Sequence, residues 1–153
     1  MAADRPALIL VVDDDADCLE VTARLLEREG YLVRQARTGQ ECIALVQREP
    51  VDLVLLDVLM PQMDGFEVCA ALRALPGKSG LPIILLTGKD DMSTRLEGMH
   101  HGVSEFLAKP INTHELYARV GAQLHIQALT RQLETVERSL EARSGAKPPT
   151  PSR

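Results

Sequence analysis

The sequence predicts an α/β fold, a doubly wound five-stranded parallel sheet with a long C-terminal helix. Short apolar runs without polar alternation recur along the 153-residue chain, as is typical of strands buried on both faces. Helical patterns alternate with these runs five times, which implies right-handed crossovers and helices on both faces of the sheet. Five such units are too few to close an eight-stranded barrel.

The predicted strands are of two kinds. Three are continuous apolar runs, and two are weaker candidates in which polar residues interrupt the run. The strong candidates are residues 7–12, 53–56 and 81–86, and the weaker ones are residues 31–36 and 103–107. Runs of this length rich in β-branched residues are typical of strands.

The predicted helices begin at recognisable capping residues. Asp15 or Asp17 can cap the first helix, which we expect to stop at Gly30 because glycine readily adopts the left-handed conformation that ends helices. Three further helices open with the capping-box spacing, at Thr38 with Glu41, Asp64 with Glu67, and Asn112 with Glu115. The remaining helix is predicted from Asp90 to His101.

The last helix is predicted to continue from Asn112 to about Arg143, a rod of roughly 48 Å. Leu116, Val120 and Leu124 are spaced by four, which suits packing on the sheet. A second apolar row has the four-three spacing of a coiled coil, at Ala122, Ile126, Leu129, Leu133, Val136 and Leu140. The alternative is a helix that lies on its own domain or frays, because about three heptads are marginal alone.

These patterns divide the chain into three segments. We expect a globular domain at residues 1–125, a helical extension with a coiled coil at 126–143, and a disordered tail or linker at 144–153, where three prolines occur. The apolar row predicts a parallel homodimer through residues 122–140.

Composition excludes several classes of protein. The net charge is −5, no basic cluster occurs, and only four residues are aromatic, which disfavours binding to nucleic acid. No apolar run approaches the roughly 20 residues of a membrane span. The first run leads directly into three aspartates, unlike a signal peptide, so we expect a cytoplasmic protein. The three cysteines show no metal-binding spacing and are expected to be reduced and buried.

Polar side chains follow four of the predicted strands. They are Asp13, Asp14 and Asp15 after the first strand, Asp57 after the third, Thr87 after the fourth and Lys109 after the fifth. In an open parallel sheet, function collects at the C-terminal ends of the strands. These side chains therefore converge if the four strands are neighbours.

The types of these residues indicate phosphoryl chemistry. Carboxylates brought close together repel one another, and a site of oxygen ligands open to water suits Mg²⁺. A threonine hydroxyl and a lysine ammonium can hold the oxygens of a phosphoryl group. A carboxylate in such a site can act as the nucleophile and form an acyl phosphate. Each residue alone has an ordinary structural explanation, such as helix capping, but the set is a stronger indication.

Four segments contain these residues: Ile9-Leu-Val-Val-Asp13-Asp14, Leu55-Leu56-Asp57-Val-Leu-Met60-Pro61-Gln-Met-Asp64-Gly65, Leu85-Leu86-Thr87-Gly88 and Phe106-Leu-Ala-Lys109-Pro110. In order and spacing they resemble the receiver domain of bacterial two-component response regulators, over roughly residues 7–125. The resemblance implies the flavodoxin-like strand order 2-1-3-4-5. It also implies a phosphorylation-activated switch that relays a conformational change.

The resemblance implies a role for each acid of the site. Asp57 would accept a phosphoryl group from the phosphohistidine of a sensor histidine kinase or a phosphotransfer protein. Asp13 and Asp14 would hold Mg²⁺ together with Asp57 and the backbone carbonyl of Leu59. The chain would assist its own phosphoryl transfer and dephosphorylation, without turnover of a separate substrate. Asp15, a third acid, is better explained as a helix cap.

Three further residues have implied roles. Thr87 would move towards the phosphoryl group, Lys109 would pair with it, and Phe106 would be the aromatic switch that turns inward. The Lys109–Pro110 peptide is often cis in the family. Tyrosine is common at position 106, and the phenylalanine here lacks its hydroxyl. Because Leu59 offers no polar group to position water, we expect a long-lived phosphoryl state.

Other families fit less well. The spacing of Asp13, Asp15 and Asp17 resembles the start of a calcium loop, but Cys18 and Arg24 stand where that loop needs glycine and glutamate. A dehalogenase-type phosphatase would need a further acidic pair after its lysine. Neither a dinucleotide-binding glycine motif nor a P-loop is present.

The output is not encoded in these motifs. About forty residues follow Lys109, too few for a DNA-binding domain, so we expect a downstream output domain or partner protein to act. The chain can be a stand-alone docking receiver, a dimer that relays through its coiled coil, or part of a larger protein. The alternative function is phosphorylation-independent docking through the coiled coil.

Overall fold

The computed structural model describes residues 5–88 and 92–143 of the chain. Strands and helices alternate in the order β1 (Leu8–Val12), α1 (Ala16–Arg28), β2 (Leu32–Ala36), α2 (Gly39–Arg48), β3 (Leu53–Asp57), α3 (Gly65–Ala74), β4 (Ile83–Gly88), α4 (Met92–His100), β5 (Glu105–Lys109) and α5 (Thr113–Arg143). The expected start of the fourth helix at Asp90 and the expected tail at residues 144–153 lie outside the described residues. No helix in the described ranges is long and apolar enough to cross a bilayer.

The five strands form one parallel sheet in the order β2-β1-β3-β4-β5, which confirms the expected topology. The strong strand candidates became the central strands β1, β3 and β4, and β1 and β3 are buried along their whole length. β2 lies at one edge and is largely exposed. Its mixed composition suits this place, because only one neighbouring strand covers it.

Two strands lie two residues later than the sequence predicted. β5 was expected over residues 103–107, but the N–H of Val103 instead donates to the carbonyl of Gly98 at the end of α4, at 3.2 Å. Pairing with β4 begins only at Glu105. Likewise β4 was expected to begin at Leu81 and begins at Ile83. In both cases hydrogen bonding to the neighbouring strand sets the boundary. The periodicity of the sequence carries no information about that neighbour.

Two apolar clusters fill the space between the sheet and the helices. Alternate residues of a strand face opposite sides, so Leu10 and Leu56 belong to one cluster while Ile9 and Leu55 belong to the other. The first cluster includes side chains of α2 and α3, and the second includes side chains of α1 and α5. Helices therefore cover both faces, as a doubly wound sheet requires.

Side chains cap the helices as their spacing predicts. Asp15 rather than Asp17 caps α1, and the capping box of α3 is complete, with Asp64 and Glu67 exchanging hydrogen bonds at 2.9 Å. Thr38 and Asn112 likewise accept the N–H group three residues on. Since each cap holds the first turn just beyond a strand, these contacts help to fix the loops at the carboxyl edge of the sheet.

The helix α5 has two parts. Leu116 and Val120 are buried and Leu124 is partly buried against the sheet, which confirms the predicted packing of the first part. The second part continues to Arg143, and its apolar row remains between 51 and 60% exposed at Ile126, Leu129, Leu133, Val136 and Leu140. The coiled coil stays a prediction.

All three cysteines are free thiols. Cys42 and Cys69 are buried as expected, and burial raises the pKa of the Cys42 thiol to about 12. Cys18 is only partly buried, because it lies in the first turn of α1, beside the carboxyl edge of the sheet.

Candidate functional site

Strand order brings the predicted site residues to one edge of the sheet. Because β1, β3, β4 and β5 are successive neighbours, the residues that end or follow them share this edge. Asp57 ends β3 beside Leu86 of β4, and Thr87 in the next position pairs with Ala108 of β5. Lys109 ends β5. The convergence expected from the sequence therefore occurs.

Three carboxylates form a cluster at this edge. Asp13 and Asp57 are 1 and 6% exposed, and Asp14 is partly buried. One carboxylate oxygen from each lies within 4.8 Å of the others. Such an oxygen-only donor set fits Mg²⁺, which prefers carboxylates and keeps part of its water shell. The main chain of Leu59 lies beside the cluster, because its N–H donates to Asp57 Oδ1 at 3.4 Å.

Lys109 bridges the two buried acids of the cluster. Its Nζ atom lies 3.1 Å from Asp13 Oδ2 and 3.2 Å from Asp57 Oδ2. The ammonium therefore offsets the repulsion between two carboxylates that the strand order forces together. The Lys109–Pro110 peptide is cis, as the resemblance implied.

The surroundings shift the pKa values of Asp13 and Asp57 in opposite directions. Burial, and next the charge of Asp13, raise the pKa of Asp57 to about 6. Burial acts on Asp13 as well, but hydrogen bonds from the Asp15 N–H, the Cys18 thiol and Lys109 hold its pKa below the ordinary value. Although burial opposes it, the two carboxylates raise the pKa of Lys109. At neutral pH the two buried acids are therefore ionised beside the Lys109 ammonium, and of these two Asp57 is the more readily protonated.

Thr87 contributes a buried hydroxyl group whose hydrogen-bonding potential is not satisfied by the described residues. The residue is 3% exposed, and its Oγ1 atom has no hydrogen-bond partner within the described part of the chain. An unsatisfied buried hydroxyl costs about 1–3 kcal/mol. The hydroxyl is thus available to an oxygen atom that enters the site.

Phe106 connects the sheet to α4. It is half-buried on β5 and packs against the apolar cluster that includes α2 and α3. Its ring lies directly against Gly98 of α4, where an added Cβ would approach Cζ to 2.7 Å and Cε1 to 2.8 Å. The position of the ring and the position of α4 therefore depend on each other.

Sequence reasoning gave no role to two glycines that shape the site. A Cβ at Gly65 would lie 2.7 Å from the carbonyl oxygen of Asp57, so only glycine lets α3 begin this close to β3. Gly98 allows the contact with Phe106. Glycine inside a helix costs roughly 1 kcal/mol relative to alanine, and that unfavourable choice was the available signal for Gly98.

The arrangement can hold a small, doubly charged anion on Asp57. It combines a cation site made of oxygen atoms, an ammonium group 3.2 Å from Asp57 and an unpaired threonine hydroxyl. These groups match the oxygens of a phosphoryl group, which need positive charge and hydrogen-bond donors.

Comparison with known sequences finds related proteins. A family model described as the response regulator receiver domain matches residues 9–121. The response regulator MprA of Mycolicibacterium vanbaalenii is 43% identical over 119 residues, which cover 78% of this chain and 51% of that protein. The response regulator PleD of Caulobacter vibrioides is 39% identical over 137 residues, 87% of this chain and 29% of that protein. The chain thus spans about half the length of MprA and less of PleD.

Solved structures show the same fold. The chemotaxis protein CheY4 of Vibrio cholerae superposes with a TM-score of 0.74 at 32% identity, covering 76% of this chain and 98% of that one. The signal receiver domain of an HD domain-containing protein from Pseudomonas fluorescens gives a TM-score of 0.76 at 29% identity, covering 84 and 93%.

Proposed function

The chain belongs to the response regulator receiver family of two-component signalling, and from this premise we propose that it is a switch activated by phosphorylation of Asp57. The observation that carries the proposal is the position of Lys109 Nζ, 3.1 Å from Asp13 and 3.2 Å from Asp57. A lysine held between two buried acids leaves Asp57 ionised at neutral pH and places a positive charge where a phosphoryl group would arrive.

The transfer step uses Asp57 as the nucleophile. A carboxylate oxygen attacks the phosphorus of a phosphohistidine in line, the new C–O–P linkage forms, and the P–N bond to the imidazole breaks. Lys109 stabilises the negative charge that spreads over the phosphoryl oxygens. The chain assists this transfer and the later hydrolysis, and we propose no separate substrate.

The carboxylate cluster fits a magnesium site. Asp13, Asp14 and Asp57 would hold Mg²⁺, with the backbone carbonyl of Leu59 as a further ligand. When bound, the ion would neutralise charge on the phosphoryl oxygens. The cation would also keep the three acids ionised, because its attraction for each carboxylate would offset their mutual repulsion.

The response follows from the unpaired hydroxyl. A phosphoryl group on Asp57 offers Thr87 the hydrogen bond that it lacks, so Thr87 moves towards it. Phe106 then turns inward, and because its ring lies against Gly98, α4 shifts with it. The result is a population shift between two packings, driven by contacts that exist only with the phosphoryl group.

The partners are expected from the family. A sensor histidine kinase or a phosphotransfer protein supplies the phosphoryl group, and an output domain or partner protein receives the signal in the cytoplasm. We propose a receiver at residues 1–125 and a parallel homodimer through the apolar row at residues 122–140, with no contact to nucleic acid or membrane.

Intact-mass spectrometry of the full chain tests the switch. After incubation with Mg²⁺ and a small phosphodonor, we expect one added phosphoryl group on the native chain and none on Asp57→Ala. Glu27→Gln, which changes an exposed acid on α1, is the matched control and should be modified like the native chain. If the folded native chain takes up no phosphoryl group, phosphorylation-independent docking becomes the better account.

The lifetime of the adduct tests a finer point. Leu59 is 77% exposed, and its apolar side chain cannot hold an attacking water, so we expect decay over much longer than seconds. The variant Leu59→Asn should shorten the lifetime. A native half-life of seconds would contradict the reasoning.

A further inference from the structure

The helix α5 carries two apolar faces on opposite sides. Leu116, Val120 and Leu124 point towards the sheet, and Arg131 lies on the same side, within a sector of roughly 80° at 100° per residue. The exposed row at Ile126, Leu129, Leu133, Val136 and Leu140, called the seam below, is centred roughly 165° away. Its first residue, Ile126, also borders a groove beside Leu81 and Pro82 of the receiver, so the part of the seam that is clear of the receiver begins at Leu129. In heptad terms the seam occupies positions a and d, and Leu124 and Arg131 occupy position f.

The receiver-facing side ends in an anchored ion pair. Arg131 Nη1 lies 3.4 Å from Asp52 Oδ1. The Asp52 side chain is only 7% exposed, accepts the N–H of Leu8 at 2.8 Å, and pairs with Arg5 at 3.1 Å. Because these contacts fix the carboxylate at the base of the sheet, it can hold α5 in one rotational orientation about seven residues beyond Leu124.

We infer that α5 binds its own receiver with one face and a second copy of the chain with the opposite face. The contact between Arg131 and Asp52 fixes the rotation of α5 about its axis, so that the seam stays turned away from the receiver. The inference rests on the proposed homodimer and specifies its geometry. The two receivers lie on the outside of a parallel coiled coil, each on its own helix. They do not meet through the surface of β5 and α5 where Arg119 pairs with Glu105 at 2.8 Å.

The residues beside the seam favour a second copy as the occupant. Positions e and g hold Gln123, Thr130, Glu137, His125, Gln132 and Ser139. Glu137 is the one carboxylate among them, and in a parallel pair it faces Gln132 of the second copy, an uncharged hydrogen-bonding group. Pairing with a second copy thus brings no like charges together at positions e and g. A partner with many charged residues at the matching positions would find few opposite charges here.

Sedimentation equilibrium of the full chain tests the inference with a matched pair of variants. Arg131→Gln removes the contact with Asp52. Arg138→Gln makes the same change one heptad later, at the same position f, on an exposed residue. We expect Arg131→Gln to weaken dimerisation roughly two- to fivefold, because a partly exposed ion pair contributes modestly, and Arg138→Gln to leave it unchanged. Equal constants for the two variants would overturn the role of Arg131.

Two more variants separate the geometries. Leu133→Gln, within the seam, should give a monomer that still accepts a phosphoryl group, which shows that its receiver is folded. Arg119→Glu should leave the dimer intact, and its loss would place the interface on β5 and α5 instead. A native chain that is phosphorylated yet monomeric would overturn this inference while the proposed switch stands.

Small-angle X-ray scattering adds a readout of orientation. At concentrations where all proteins are dimeric, Arg131→Gln should broaden the distribution of distances between the two receivers, and Arg138→Gln should reproduce the native curve. An unchanged curve for Arg131→Gln would show that the ion pair does not orient the helix.

Discussion

The carboxylate of Asp57 destabilises the folded chain when the site holds no cation, and Asp57→Asn should relieve this cost. Burial and the nearby charge of Asp13 raise the pKa of Asp57 from 3.8 to about 6. The native state therefore keeps a proton that the unfolded chain releases between about pH 4 and pH 6. The free energy of unfolding of the native chain consequently falls as pH rises through this window, and the cost is fully present above it.

The magnitude follows from the size of the shift. A difference of about two pKa units corresponds to about 3 kcal/mol, because each unit is worth about 1.4 kcal/mol. Screening by solvent is slight, since the Asp57 side chain is 8% exposed. Because this pKa already includes the opposing effect of Lys109, we expect Asp57→Asn to raise the free energy of unfolding at pH 7.5 by on the order of 2 to 3 kcal/mol.

Urea unfolding at a series of pH values, with a chelator present, measures this difference. The gain of Asp57→Asn should shrink as pH falls below about 6 and vanish near pH 4. Adding Mg²⁺ should stabilise the native chain more than the variant, because a ligand stabilises the state that binds it. Glu27→Gln controls for the loss of an exposed charge and should show neither effect.

Two results would refute the reasoning. If Asp57→Asn were less stable than the native chain at neutral pH, the carboxylate would be a net stabilising group through its pair with Lys109. If the gain were the same at every pH, it would arise from packing rather than from ionisation.

Three further predictions concern neighbouring residues. Thr87→Val removes an unpaired buried hydroxyl, so stability should be unchanged or rise by about 1 kcal/mol, while phosphorylation should no longer alter the fluorescence of a dye on α4; a retained response would contradict the role of Thr87. Gly98→Ala forces a Cβ within 2.7 Å of the Phe106 ring and should cost about 1–3 kcal/mol in thermal unfolding, a loss that adding Phe106→Leu should reduce; an unchanged cost in the double variant would place the strain elsewhere. Asp64→Ala breaks the capping box with Glu67 and should lower the free energy of unfolding in urea by about 1 kcal/mol; an unchanged free energy would show that Asp64 does not stabilise α3.

Local signals explain why the fold could be predicted. Apolar runs identify β1, β3 and β4, because strands buried on both faces need no polar positions. Gly30 has a φ of 92°, the left-handed conformation expected where α1 stops. The boundary of β5 was misplaced because Val103 is apolar like a strand residue, yet its N–H is used by α4.

The alternation of elements, the caps, and the set of acids, threonine and lysine at the strand ends were predictable, because each depends on residues close together along the chain. Two contacts became visible only in the folded chain. Lys109 bridges Asp57 and Asp13, the latter 96 residues away in the sequence, and Arg131 contacts Asp52, which lies 79 residues away. Such contacts leave no periodic trace in the sequence. They arise when strand order and helix packing bring distant segments together, and the burial that follows raises the pKa of Asp57.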